Sequence, residues 1–409
     1  MVDWPTRSVE KCLSRLRFGS VRKLPTQAYR PTGRYPIIDQ GQSLIAGWTD
    51  DDGGLIDRDL PVIVFGDHTR AFKFIDFPFV RGADGTQVLK PTGDIDPLFF
   101  FYALRGIDLP SRGYNRHFKA LKEREIGIPG DAEQVDIARI LRLVESALET
   151  QPQQVAAWEA CKRAAMRALF TKGLRGEAQK ETEIGPVPES WELRSVLDLC
   201  DIRSGGTPRK SVPEYWIGDI PWVSGKDLKA PTLDDAIDHV SAEGIEAGSR
   251  LAPAGTVLVL VRGMGLAKDL PVAVISRPMA FNQDIKALVS RGDFDGKFLR
   301  SAIYVHKDRL LTKIVPSAHG TMTLNLNDIE TFMVPCPADP VEADEIVAVL
   351  DAIDRKIDLH RSKRAALDEL FKALLHKLLT GEIRVSDLDL SALSPDPAPA
   401  DSKTPEVAA

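Results

Sequence analysis

The chain has 409 residues, 43% of them apolar, and a net charge of −6; it is too long for one ordinary core and too apolar to be mostly unfolded. No run of eighteen apolar residues occurs, which argues against a membrane-spanning helix, and the opening MVDWPTRSVEKC lacks the apolar core of a signal peptide. Cys12, Cys161, Cys200 and Cys336 lie far apart with no C-x-x-C, so no zinc-site spacing exists and a reducing, cytoplasmic compartment is expected.

Residues 1–129 read as a strand-rich mixed domain, with short β-branched and aromatic runs such as LPVIVFG at 60–66 set between turn residues. Residues 130–178 read as one long helix. Ile137, Leu141, Val144, Leu148, Gln151, Val155, Trp158, Lys162, Ala165 and Leu169 recur at alternating spacings of four and three. That spacing keeps a narrow stripe facing a partner helix. Pro152 removes a backbone donor inside this helix, so a kink or short break is expected near 150–152.

Residues 179–338 return to strand-rich texture, with TVLVLV at 256–261 and PVAVI at 271–275. Residues 339–384 form a second long helix whose stripe is Ile346, Leu350, Ile353, Ile357, His360, Arg364, Leu367, Phe371, Leu374 and Leu378. The polar residues mid-stripe, Gln151, Lys162, His360 and Arg364, are expected to set register and orientation. Residues 385–409 form an acidic Pro/Ala-rich tail with the composition of a disordered segment.

The halves repeat each other in order. ALFTKGLRGE at 168–177 and ALLHKLLTGE at 373–382 share six of ten residues. Trp4-Pro-Thr-Arg-Ser-Val9 matches Trp191-Glu-Leu-Arg-Ser-Val196. Tyr35-Pro-Ile-Ile38 matches Ile220-Pro-Trp-Val223. Gly93-Asp-Ile-Asp matches Gly292-Asp-Phe-Asp, and Ile126-Gly-Ile-Pro129 matches Phe332-Met-Val-Pro335. Conserved order is hard to obtain by chance, so the chain reads as two copies of one unit. The expected fold is α+β: two duplicated strand-rich mixed domains, each followed by a long helix. The helices pair as an antiparallel coiled coil with pseudo-two-fold symmetry. The alternative is two amphipathic helices lying on their own domains.

Charge is segregated. Residues 250–320 hold eleven Lys/Arg against five Asp, and residues 100–125 hold six Lys/Arg against three acids. Two basic segments on a duplicated chain make duplex DNA a candidate partner; two ordinary solvated surfaces are the alternative. Arg112, Tyr114, Asn115, Arg116 and Lys119 interleave cations with base-reading and stacking side chains. Arg209 and Lys210 follow the turn Gly205-Gly206-Thr207-Pro208, and Lys226 stands in a second Gly-containing turn. Asn282 and Gln283 are of the type that reads adenine; a buried polar turn is the other reading.

No catalytic constellation appears. Methyltransferase motifs and a G-x-S-x-G are missing, and Gly225-Lys226-Asp227 lacks P-loop spacing. Asp67-His68 has no further ligand at metal spacing, so a strand-end turn is expected there. No cofactor and no metal site are predicted.

SGGTPRKSVPEYWIGDIPWVSGKDLK at 204–229 resembles the opening of a target recognition domain from type I restriction–modification specificity subunits. VIVFGDHTRAFKFIDFPFVRGADGTQVLKP at 62–91, with GYNRHFKALKEREIGIP at 113–129, resembles another version of it. Residues 344–385 resemble the family's helix. The first half departs from the pattern, reading FGSVRKLPTQAY where Gly-Gly-Thr-Pro is expected. The resemblance implies a non-catalytic subunit that reads a bipartite double-stranded DNA target. It also implies two modification (methyltransferase) subunits as partners, with restriction/translocase subunits in the full complex and no membrane association. A coiled-coil scaffold with two protein-binding domains is the competing reading.

Overall fold

The computed structural model describes residues 4–16, 23–83, 85–110, 116–317 and 320–388. The tail expected beyond 388 lies outside them, as do Arg112, Tyr114 and Asn115. The chain divides into two compact units, Met1–Gln153 with Arg361–Ala409, and Gln154–His360. The division runs through the long helices, Asp131–Lys172 and Pro340–Leu379. Each unit therefore holds one strand-rich domain with half of each helix.

In the first unit a four-stranded sheet is built around Tyr35–Ile38. That strand pairs with Gly47–Thr49 antiparallel and with Phe79–Arg81 in parallel, and Leu55–Ile56 completes the far edge. A three-stranded sheet centres on Val62–Gly66, between Phe72–Ile75 and Thr86–Leu89. The central strand is buried along its whole length, which is why it reads as a continuous apolar run and not as an alternation.

The second unit repeats this topology. Ile220–Val223 lies between Asp238–Val240 (antiparallel) and Met279–Phe281 (parallel), with Leu251–Ala252 beyond. Val257–Leu260 lies between Val272–Ile275 and Ile285–Ser290, and this sheet gains Cys200–Ser204 and Thr232–Leu233 as outer strands.

The duplication reaches single side chains. Strand Thr6–Ser8 pairs with Glu125–Gly127, and Glu192–Ser195 with Met333–Cys336. Arg7 on the first meets Asp94 at 2.8 Å, and Arg194 on the second meets Asp293 at 2.7 Å. Asp96 and Asp295 then cap the helices Pro97–Arg105 and Gly296–Val305.

One detail of the repeat shifts. Arg7 stands opposite Ile126, whereas Arg194 stands opposite Val334. Ile126 thus corresponds to Val334, two residues beyond the Phe332 that its sequence match suggested. A two-residue slip keeps every side chain on its own face of a strand, so the apolar pattern does not register it.

The helices pair antiparallel within each unit. In the first, Ile137, Leu141 and Val144 share a core with Phe371, Leu374 and Leu378 and with Phe99, Phe100 and Tyr102 of the helix Pro97–Arg105. Each fully buried side chain of this size contributes about 1.5–3 kcal/mol. In the second, Lys162 pairs with Asp354 at 2.5 Å and Arg175, in the turn just past the first helix, with Glu345 at 2.6 Å, so the order along one segment reverses along the other. Met166, Leu169 and Phe170 share the second core with Ile346 and Leu350. Leu148, Val155, Trp158, Ile353 and Leu367 are half-buried, and Ile357 is buried.

Helical hydrogen bonding continues from Asp131 to Lys172 through Pro152, so the chain is not broken there. One residue back from the carbonyl the proline leaves without a donor, Ala147 O accepts from Thr150 Oγ1 at 2.9 Å and Gln151 Nε2 at 2.9 Å. After both helices a glycine turns left-handed: Gly176 at φ +68° and Gly381 at φ +67°. That conformation accounts for the glycine the two endings share, since few residues other than glycine adopt it without cost; the first helix itself stops one turn earlier, at Lys172, where Gly173 is also left-handed at φ +61°.

Candidate nucleic-acid interface

In the second unit three loops leave the sheets at one edge. Trp222 and Val223 run in parallel with Ala280 and Phe281, so the turns that follow, 224–227 and 282–284, emerge side by side. The Gly-Gly-Thr-Pro loop lies against them. Gly206 N–H donates to Phe281 O at 2.9 Å, Trp222 Nε1–H to Gly206 O at 3.0 Å, and Ser249 Oγ–H to the same oxygen at 3.0 Å. A β-carbon on Gly205 would stand 2.2 Å from Phe281 O, and one on Gly206 would stand 2.2 Å from Gly248 O. The two glycines therefore exist for close backbone approach, and they hold Arg209 and Lys210 exposed at the loop's outer end.

The amide candidates part company. Asn282 is buried and closes its own turn, accepting Asp284 N–H at 3.1 Å. It is the polar turn residue of the two readings. Gln283 is exposed, with Thr207 Oγ1 donating to its Oε1 at 2.5 Å. Lys226 is exposed and pairs with Asp238 at 2.8 Å, a bond that raises its pKa above the ordinary lysine value.

The first unit presents the corresponding edge. Asp67 N–H donates to Gly85 O at 2.7 Å, as Val261 N–H donates to Asp284 O at 2.8 Å in the second. The Asp67 carboxylate is buried and accepts the backbone N–H groups of His117 at 2.8 Å and Phe118 at 2.7 Å. It anchors the end of the basic segment and is committed to backbone, not to a metal. Arg116 and Lys119 are exposed on either side of this anchor.

A family model described as the type I restriction modification DNA specificity domain matches residues 188–369. The specificity subunit of the type I restriction enzyme EcoR124I/EcoR124II from Escherichia coli is 26% identical over 342 residues, spanning 80% of this chain and 81% of that one. The MjaIX specificity subunit of Methanocaldococcus jannaschii is 28% identical over 217 residues, about half of each chain. The crystal structure of the S subunit from M. genitalium superposes with a TM-score of 0.59 at 16% identity, over 92% of this chain and 96% of that one. Over most of its length the chain is similar to specificity subunits of type I restriction–modification systems.

A specificity subunit has no catalytic centre. Among the described residues no group of three or more His, Cys, Asp or Glu is disposed to hold a metal, and no helix is long and apolar enough to cross a membrane.

The structure adds one surface that was not among the sequence candidates. His117 N–H donates to Asp67 O in the first unit, and Leu324 N–H donates to Val261 O at 2.9 Å in the second. The residues ahead of Leu324 are thus the counterpart of the basic segment ahead of His117. They form the short hairpin Val315–Pro316 with Met322–Thr323, beside exposed Arg262 and Met264. The repeat itself carried the signal: counting back from the paired strands reaches this hairpin with or without the two-residue slip.

Proposed function

We propose that this subunit reads a bipartite double-stranded DNA target, one half-site per strand-rich domain. It seats two modification methyltransferase subunits and, in the full complex, restriction/translocase subunits. The observation that carries this reading is one sheet topology written twice with different loops at the same edge. A common scaffold with different side chains at its tips is what two unlike half-sites require, since phosphate contacts position and base contacts specify. Exposed apolar residues on the long helices, Val135, Leu143, Val349, Leu359 and Leu370, supply surface of the kind partner subunits cover. The test is to exchange residues 111–116 and map methylated positions in cells that also carry the modification subunits. One half-site is expected to change and the other to persist. A change in both halves, or methylation without sequence preference, would sink the reading.

A further inference from the structure

The two units differ at one sheet edge. In the second, Thr232–Leu233 lies parallel to Val272–Ile275, with Thr232 opposite Val274 and Leu233 opposite Ile275. Val274 N–H donates to Pro231 O at 2.9 Å, and Ser276 N–H donates to Leu233 O at 2.8 Å. This covering segment belongs to the connection 224–237, fourteen residues between the strands Ile220–Val223 and Asp238–Val240. The matching connection in the first unit, 39–46, has eight residues.

The matching strand in the first unit is Phe72–Ile75. Phe72 faces Phe65 as Val272 faces Val259, so Phe74, Ile75 and Asp76 correspond to Val274, Ile275 and Ser276. Among the described residues no strand pairs with its outer edge. A groove of about 860 Å³ lies there, walled by Leu44, Phe74, Phe77 and Phe101 and floored by Arg142 and Glu145 of the first long helix. In the second unit the space left at the matching place, beside Pro231 and Thr232, is about 30 Å³. One unit carries its own edge cover and the other does not.

We propose that the groove of the first unit is a strand-addition site. It takes an extended segment of a modification subunit, parallel to Phe74–Asp76, in the place that Pro231–Leu233 fills in the second unit. An edge strand offers a row of backbone donors and acceptors that an incoming extended peptide completes, with side-chain pockets setting specificity. The internal template gives the ligand's chemistry: a short uncharged stretch, a hydroxyl or β-branched residue followed by a larger apolar one. Charge along the groove's lining sums to zero, four cations against four carboxylates, and Glu145 pairs with both Arg105 and Arg142. The partner is the modification subunit because the groove's floor belongs to the helix proposed to seat it, so this inference rests on the proposed function.

The experiment places a photo-cross-linking residue at Leu44 of the full chain in complex with its modification subunits, and a second at Leu143, exposed on the long helix. The Leu44 probe is expected to attach to one short stretch of the modification subunit. Attachment to this chain's own residues, to a second copy, or to nothing, while the Leu143 probe still attaches to the modification subunit, would overturn the groove and leave the proposed function standing. Failure of the two subunits to associate at all would overturn both. In parallel, Leu44→Lys with Phe77→Lys at the rim is expected to weaken association at least tenfold. Unchanged association by this variant, folded by circular dichroism, also counts against the groove.

Discussion

Arg209 and Lys210 stand exposed on a loop whose backbone is held at Gly206 by Phe281, Trp222 and Ser249, so their side chains can be removed without loosening the loop. Cations that neutralise phosphate release counterions, and each lowers the slope of log affinity against log salt by about one. Arg209→Ala with Lys210→Ala is therefore expected to weaken DNA binding across all sequences and to reduce that slope by about two, as measured by titration at several salt concentrations. A changed half-site preference instead would make them base readers. A second residue effect concerns pH. Burial with no hydrogen-bond partner at Nε2, and then the nearby Arg309, push His306 down to about 4. Its folded value lies below that of the unfolded chain, near 6.5, so the unfolded state binds the proton first and stability falls as pH drops from about 6.5 toward 4. His306→Gln is expected to flatten that part of the stability–pH curve in urea melts. An unchanged curve would show that the imidazole does not couple to folding.

Pro152 makes the element scale concrete. Proline inside a helix costs about 3 kcal/mol through its missing donor and its clash, against about 0.4–1 kcal/mol gained by restricting the unfolded chain. The helix cost is the larger, so Pro152→Ala is expected to stabilise the protein by about 1–3 kcal/mol in denaturant unfolding. A loss would mean that the local geometry around Gln151 is already adapted to the ring. The long helices were legible in the sequence because a stripe such as Ile137, Leu141, Val144 is a local, periodic signal. The strands Val62–Gly66 and Val257–Leu260 were legible for a related reason, being continuous apolar runs between turns. What lay beyond reading was long-range. The sheet order depends on which strands meet, and the anchoring of the basic segment depends on Asp67, fifty residues from His117. Asn282 and Gln283, adjacent and chemically alike, ended in opposite environments because one points into its turn and the other away. No local pattern separates them.

At the scale of the whole molecule, the bipartite reading makes the long helices the spacer between half-sites. Four residues add about 6 Å of helix, and DNA rises about 3.4 Å per base pair. Inserting one helical turn between Leu148 and Val155 is thus expected to change the gap by at most about two base pairs, with both half-sites retained in methylation maps. An active variant with an unchanged gap would show that the helices do not set it.

The division of the chain also bears on its synthesis. Gln154–His360 is one continuous stretch, whereas the first unit needs residues from both ends. Domains fold as units while the chain emerges from the ribosome. The second unit has all its parts when residue 360 appears; the first must wait for Phe371, Leu374 and Leu378 to cover Ile137, Leu141 and Val144. The earliest-made domain is the last to be finished. A premature stop near residue 360 would accordingly strip the core of the amino-terminal domain and spare the one beside the stop.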